Sequence, residues 1–308
     1  MSLTGTVNSK TWNGLTSFDG EDIWSDGESI YYSCGASQYV LDKTTSTWLP
    51  KTWKGKTSFS GRYIWKDGDD IFICDGDSSA YSLDKASDTW IFKPYSGISR
   101  PHGEYVWTDG TDIYYSYSPD SIQYVLSTDK SEWIKKTWTG LKNPCGAYIW
   151  TDGENIYHSN GSRHHVLNTE TGEWISKTWN GLTSFNGDDI WTDGNNIYLS
   201  NVSRQYVLNK STDSWEAKTW DGLSSLSGQH IWTDEENIYY SYGDNQYVFE
   251  GNFEKQSSSD SEVEVSSNFV SYNNATEILA SAKTYMDEKT DSFTETQVNT
   301  LKAIFADD

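Results

Sequence analysis

Three side chains with catalytic potential lie close together in the segment 99–104. Arg100, His102 and Glu104 alternate along it, and together they could bind an anionic group and transfer a proton. Histidine titrates near neutral pH, and arginine pairs with oxyanions through two parallel hydrogen bonds. One interpretation is therefore the site of a carbohydrate-active enzyme. The other, which we favour, is a loop that has diverged within a repeated chain.

Two more arginines and a pair of histidines are further candidates for polar chemistry. Arg163 and Arg204 occupy equivalent positions in adjacent repeats, but a sialidase-like carboxylate clamp would need a third converging guanidinium group. His164 and His165 stand where four other repeats have glutamine and tyrosine, and no cysteine or carboxylate lies at metal-ligand spacing from them. We therefore expect no catalytic residue, no metal and no cofactor, and we expect binding rather than catalysis.

The third candidate set is aromatic and returns once in every 41 to 43 residues. Its members are Trp12, Trp53, Tyr95, Trp138, Trp179 and Trp220. If these rings project from the surface, they could stack on sugars or on side chains of a partner. If they fold beneath the loops, they cap the core. The sequence leaves both positions open, and we treat the series as candidate binding residues.

The spacing of these aromatic residues defines six repeated units. A second tryptophan follows twelve residues after the first, as Trp24 follows Trp12, and an Asp-Gly pair comes after it in most units. Asp-Gly between two apolar runs predicts a tight hairpin, because glycine adopts a positive φ without strain. Each unit holds four short strands of this kind. The sequence therefore predicts an all-β, six-bladed β-propeller of four-stranded blades over residues 1–253.

A ten-residue segment within each unit resembles the kelch motif. In the first unit, residues 39–48 read Y-V-L-D-x-x-T-x-T-W, and the pattern recurs at 81–90, 124–133, 165–174 and 206–215. The glycine pair typical of kelch repeats is missing, so the repeat is a divergent one. The resemblance implies a propeller and leaves the function open, because kelch propellers include scaffolds, actin-binding proteins and enzymes.

The sixth unit lacks its outer-strand tryptophan, and Gln256 stands at that position. Counting back from Trp12 by the spacing that separates Trp48 from Trp53 leads to Val7 in the N-terminal segment. We therefore predict that the N-terminal strand completes the last blade. This pairing would close the ring and remove an open sheet edge.

The composition narrows the range of partners. A net charge of −22 and a pI near 4.4 disfavour nucleic acid and anionic membrane surfaces. The sequence has no apolar run of about 18 residues, so we expect no membrane insertion. No secretory leader is evident, which suggests the cytoplasm or a particle assembled there. Cys34, Cys74 and Cys145 are widely spaced, which predicts free thiols.

The composition changes after residue 253. Residues 254–273 are rich in serine and acidic side chains and read as a linker. Residues 274–308 carry two capped apolar stripes, which predict a short C-terminal helical hairpin for docking or self-association. The function we expect is a non-enzymatic binding or assembly module that holds a protein partner on the propeller face, for example in a virion. The alternative is a lectin-like glycan-binding propeller or a carbohydrate-active enzyme at the long-loop face.

Overall fold

The computed structural model of the protein describes residues 3–75, 80–98, 101–117, 122–141 and 144–251. These residues form six antiparallel sheets, and in five of them the four main strands lie side by side in chain order. The chain is therefore an all-β propeller with six four-stranded blades, as the repeats predict. The predicted linker 254–273 and hairpin 274–308 lie outside the described residues.

The first three blades are built from strands of three to six residues. Blade 1 comprises β2 (Ile23–Ser25), β3 (Ile30–Cys34), β4 (Ser37–Asp42) and β5 (Thr47–Pro50). Blade 2 comprises β6 (Ile64–Asp67), β7 (Asp70–Cys74), β8 (Ala80–Asp84) and β9 (Thr89–Phe92). Blade 3 comprises β10 (Val106–Thr108), β11 (Ile113–Tyr117), β12 (Ile122–Leu126) and β13 (Trp133–Lys136).

The last three blades follow the same plan, with one added strand. Blade 4 comprises β14 (Ile149–Thr151), β15 (Ile156–Asn160), β16 (Arg163–Asn168) and β17 (Glu173–Ser176). Blade 5 comprises β18 (Ile190–Thr192), β19 (Ile197–Val202), β20 (Arg204–Asn209) and β21 (Ser214–Ala217), and a short strand β22 (Leu226–Ser227) pairs with β19. Blade 6 comprises β23 (Ile231–Thr233), β24 (Ile238–Tyr242), β25 (Asn245–Gly251) and β1 (Leu3–Ser9).

The N-terminal strand closes the ring. Strand β1 pairs antiparallel with β25, and Val7 lies opposite Phe249. Val7 is also 3% exposed, and its backbone N–H donates to the carbonyl of Asp221 at 2.7 Å. The prediction that the N-terminal segment completes the last blade, with Val7 at the missing tryptophan position, is confirmed.

One buried tryptophan on the first strand of each blade anchors the interior of that blade. Trp24 stacks on Tyr31 with ring centroids 4.5 Å apart and donates its indole N–H to Ser33 Oγ at 2.9 Å. The same indole bond joins Trp107 to Ser116, Trp150 to Ser159, Trp191 to Ser200 and Trp232 to Ser241, and Trp65 donates to Cys74 Sγ. A large ring is buried in this way without leaving its N–H unpaired, which would cost free energy.

Two glycines in each inter-blade loop let neighbouring blades touch through their backbones. Gly14 has a φ of 82°, and a Cβ there would overlap the carbonyl oxygen of Trp48 in the outer strand of blade 1. Gly20 begins a 3-10 helix, and a Cβ there would overlap the carbonyl oxygen of His230. Any other residue would push the blades apart, which explains why both positions are glycine in all six loops.

The cysteines and the helices give two further results. Cys34 is exposed, Cys74 and Cys145 are buried, and none of the three forms a disulfide, as the sequence predicts. Within the described ranges, no helix combines the length and the apolar character needed to cross a membrane.

We predict that Gly14→Ala destabilises the protein more than Gly27→Ala. Both glycines have a positive φ, but Gly27 has no atom within 4 Å of its Cβ position. Both variants therefore carry the conformational strain, and Gly14→Ala alone forces backbone groups apart. The added cost should be about 1–3 kcal/mol, measured by chemical denaturation of the two variants. Equal losses would show that the blades do not depend on this close approach.

Candidate functional site

The aromatic series that follows each outer strand lies inside the propeller. Trp12 is 3% exposed and packs between Trp48 of blade 1 and Trp232 of blade 6. The centroid distances are 6.0 and 5.5 Å. Trp53, Trp138, Trp179 and Trp220 are equally buried, and Tyr95 is half-buried. Of the two positions that the sequence left open, the structure shows the capping one. The faces of the five tryptophans are therefore not available for stacking on a ligand.

A lysine two residues before each member of the series covers its ring. The Lys10 ammonium lies 4.5 Å from the centroid of Trp12, a cation–π contact. The equivalent lysines are Lys51, Lys93, Lys136, Lys177 and Lys218. The recurring Lys-Thr-Trp triplet carried this signal in the sequence. The cation–π contacts stabilise the blade interfaces, and the aliphatic part of each lysine side chain lies over apolar surface.

His102 and Glu104, two of the three residues that allowed a catalytic interpretation, do not line the same cavity. Arg100 lies outside the described residues. Glu104 belongs to a 3-10 helix and lines a cavity of about 40 Å³ together with Arg62. The ring of His102 packs instead against Tyr63 and Tyr105, with centroids 5.6 and 5.8 Å away, and does not line that cavity. A cavity of this size holds about one water molecule rather than a sugar.

The other polar candidates lie at the start of third strands. Arg163 and Arg204 are exposed, and each begins the third strand of its own blade. His164 stacks on Phe185 at 4.4 Å, and its Nε2 lies 3.1 Å from the carbonyl oxygen of Thr183. It thus takes the place of the glutamine that in blade 1 links its blade to the next loop. In the part of the chain that the structure describes, no group of three potential metal ligands comes together.

Six short 3-10 helices form a ring around the central axis, each in contact with the next. They are Gly20–Asp22, Gly61–Tyr63, Gly103–Tyr105, Gly146–Tyr148, Gly187–Asp189 and Gly228–His230. Asp188 and Asp189 follow each other in one of them, and burial, helped by the neighbouring charge of Asp189, raises the pKa of Asp188 to about 7. Gln229 donates to Asp188 Oδ2 at 2.9 Å. Burial also raises the pKa of Glu21, Asp22 and Asp189.

A larger opening lies on the long-loop face between blades 5 and 6. It is a cleft of about 470 Å³, which falls in the range of small-molecule sites, about 300–1,000 Å³. Its lining residues are Val202, Leu223, Ser224, Ser225, Leu226, Ser227, His230, Tyr240, Tyr242, Asn245 and Tyr247. We refer to this set as the blade 5/6 cleft.

One exposed aromatic ring, that of Tyr242, lines the cleft. Tyr242 is 51% exposed, and His230 supports its ring from a centroid distance of 4.6 Å. Burial lowers the pKa of His230, so the imidazole is neutral at pH 7. The tyrosine ring is thus held in place by a neutral neighbour, which reduces the conformational entropy that a ligand must remove on binding.

The wall of the cleft is held by strand β22. Its residues pair with the end of β19, so that Asn201 faces Ser227 and Val202 faces Leu226. The side-chain amide of Gln205 adds a bond to the carbonyl of Leu226 at 3.2 Å. The loop from blade 5 to blade 6 is therefore anchored to blade 5 by main-chain pairing, and the cleft is a built surface rather than a gap between loose loops.

The sequence carried one signal for the cleft that its repeat analysis missed. Val202 is the last residue of β19, next to the turn into β20, at the position where blades 1, 4 and 6 have Gly35, Gly161 and Gly243. All four positions have a φ between 53° and 60°. A β-branched residue in that conformation is an outlier, and outliers of this kind cluster at functional sites.

Comparison with known proteins gives a limited result. No protein-family model and no curated protein matches the chain. Two solved structures of the extracellular domain of BT4673 from B. thetaiotaomicron, described as a hybrid two-component system and as a one-component system, share 13% identity with it. Their TM-scores are 0.49 and 0.47, and the alignments cover 82% of this chain but only 37% and 34% of those chains. The chain thus spans about a third of their length.

We predict that stability falls as the pH rises towards 7, and that Asp188→Asn removes part of this fall. The folded state keeps a proton on Asp188 up to about pH 7, whereas the unfolded chain loses it near pH 4. Between these values the folded state binds more protons, so the free energy of unfolding decreases with pH. Above pH 7 the variant should be more stable by about 1 kcal/mol after solvent screening, or roughly 2–4 °C in Tm.

Thermal unfolding from pH 4 to 8 measures this effect. Asp244→Asn is the matched control, because it removes the same charge from an exposed turn residue. Parallel curves for the wild type and Asp188→Asn across the whole range would contradict the prediction.

Proposed function

We propose that this protein is a non-enzymatic binding module that holds its ligand in the blade 5/6 cleft. The observation that carries the proposal is the distribution of exposed apolar side chains. Among the described residues, the large exposed ones are Leu49, Ile91, Phe92, Ile134, Ile175, Val202 and Tyr242. The first five lie on outer strands, and the last two both line the cleft. Exposed apolar residues that cluster in a concavity mark a binding site.

The chemistry of the lining supports binding over catalysis. The described lining residues carry hydroxyl, amide, aromatic and aliphatic groups, and no carboxylate or cation is among them. The one titratable imidazole, His230, is packed against Tyr242 and kept neutral by burial. These groups recognise a ligand through hydrogen bonds and apolar contact, whereas proton transfer or nucleophilic attack would need an activated acid, base or nucleophile.

The scaffold suits this role. The closed ring fixes the cleft walls, because β1 completes blade 6 and β22 is paired to blade 5. A preformed site loses little entropy when its ligand binds.

We further propose that the kelch-like propeller displays this site while residues 274–308 anchor it to a protein partner or to a second copy, as in a virion or another particle assembled in the cytoplasm.

Tyr242→Ala should weaken ligand binding about tenfold or more, as expected for an exposed aromatic anchor. A mixed library of small sugars and capped amino acids can be screened by saturation-transfer NMR against the intact protein. Phe92→Ala is the matched control, because Phe92 is 55% exposed on an outer strand far from the cleft. Signals lost in Tyr242→Ala and kept in Phe92→Ala support the proposal. Binding that all three proteins share, or no binding at all, contradicts it.

A further inference from the structure

We infer that the ligand of the blade 5/6 cleft is a neutral oligosaccharide. This inference rests on the proposed binding function of the same cleft and adds the chemical class of its ligand. A sugar ring presents an apolar C–H face and a rim of hydroxyl groups. The cleft offers the complement of both.

The apolar face of a sugar would meet Tyr242. The ring is exposed, and His230 packs against it at an interplanar angle of 39°, which limits the orientations that this platform can take. Aromatic side chains combine a large apolar surface with a polar tip. The hydroxyl of Tyr242 therefore adds a hydrogen-bonding group at the edge of the same platform.

The hydroxyl rim of a sugar would meet polar side chains that line the same cleft. Ser224 and Ser225 are exposed on the inter-blade loop, and Asn245 is exposed at the start of β25. Serine hydroxyls both donate and accept, and asparagine offers two donors and an acceptor. Such groups pair with sugar hydroxyls in either sense, which is the pattern of a site for polyhydroxylated ligands.

The charge of the cleft and of the whole chain favours a neutral sugar over an acidic one. The described lining residues include no arginine or lysine that could pair with a sulfate, a uronate or a sialic acid, and the chain carries a net charge of −22. The field of such a protein repels anionic ligands. A nucleic acid or an acidic polysaccharide is therefore disfavoured at this site.

Main-chain pairing disfavours a peptide. An extended peptide binds most simply by adding a strand to an open sheet edge. At the wall of this cleft, β22 already pairs with the end of β19, at Asn201 and Val202. The backbone groups that a peptide strand would use there are occupied.

Val202 points to a ligand at the lip of the cleft. Its φ is 53°, a left-handed conformation that is strained for a β-branched residue. The side chain is 60% exposed, so burial of apolar surface offsets little of the free energy of this strain. Glycine fills the equivalent turn in blades 1, 4 and 6 at no such cost. An exposed valine at this position makes a stabilising apolar contact only when a ligand covers it. The apolar face of a sugar unit would make that contact.

The test uses the full chain and a panel of defined trisaccharides in isothermal titration calorimetry. The neutral members are cellotriose, maltotriose, mannotriose and triacetylchitotriose. A sulfated heparin-derived trisaccharide and capped tripeptides that contain leucine and tyrosine complete the panel. At least one neutral member should bind with a single site, and Tyr242→Ala should weaken it about tenfold while Phe92→Ala leaves it unchanged.

Val202→Gly supplies a second and independent readout. It should raise Tm, because the strain is removed, and it should weaken binding of the same trisaccharide several-fold. An unchanged affinity would show that Val202 does not contact the sugar, and a lower Tm would show that its backbone is not strained. Either outcome would overturn its role here.

The outcomes separate this inference from the proposed function. If the capped tripeptides bind in a Tyr242-dependent manner and no trisaccharide does, the saccharide inference is overturned and the binding cleft stands. Preferential binding of the sulfated member overturns the neutral class. If nothing in the panel binds, the proposed function fails together with the inference.

Discussion

Direct backbone contact between neighbouring blades is the constraint on which this propeller depends. At one position of each inter-blade loop, as at Gly14, a glycine lies against the carbonyl of an outer strand, and at another, as at Gly20, it lies against the preceding 3-10 helix. The two contacts are at different distances from the axis and together fix how each blade sits on the next. Because they recur six times, the ring closes with one geometry. Strand β1 then pairs with β25 and completes blade 6.

A frame fixed in this way leaves its loop face free to vary. The buried Trp24 series with its indole bonds, and the Trp12 series under its lysines, fill the interior of every blade. The exposed side chains on the long-loop face do not contribute to this packing. Blade 5 uses this freedom to place Val202 in a strained turn, and blade 6 to expose Tyr242. The ring of 3-10 helices uses it to bring Asp188 and Asp189 into a partly desolvated position.

The sequence predicts the fold well because the fold is repeated. Asp-Gly hairpins, the two tryptophan series and the count back to Val7 all give the strand plan, and the structure confirms it. The site was not predictable in the same way. The spacing of Trp12 and Trp53 cannot say whether the rings face the core or the solvent, and both turned out buried.

The cleft eluded the repeat analysis for a different reason. It forms where a turn of blade 5, an inter-blade loop and a strand end of blade 6 meet, and each segment alone looks ordinary. The segment 99–104 was a candidate site because it contains an arginine, a histidine and a glutamate, which are residue types common in catalytic sites. However, a loop that enters a 3-10 helix turns its successive side chains in different directions, so Glu104 lines the small cavity and His102 packs among tyrosines.

Hydrogen–deuterium exchange with mass spectrometry tests the central claim most directly, because it locates the ligand on the chain. The intact protein would be compared without ligand and with a saturating neutral trisaccharide. Our account predicts that exchange slows in three segments, residues 201–204, residues 223–227 and residues 242–247, and is unchanged in the 3-10 helices of blades 2 to 4. Protection centred on those helices, or on the outer strands, would contradict a binding site between blades 5 and 6.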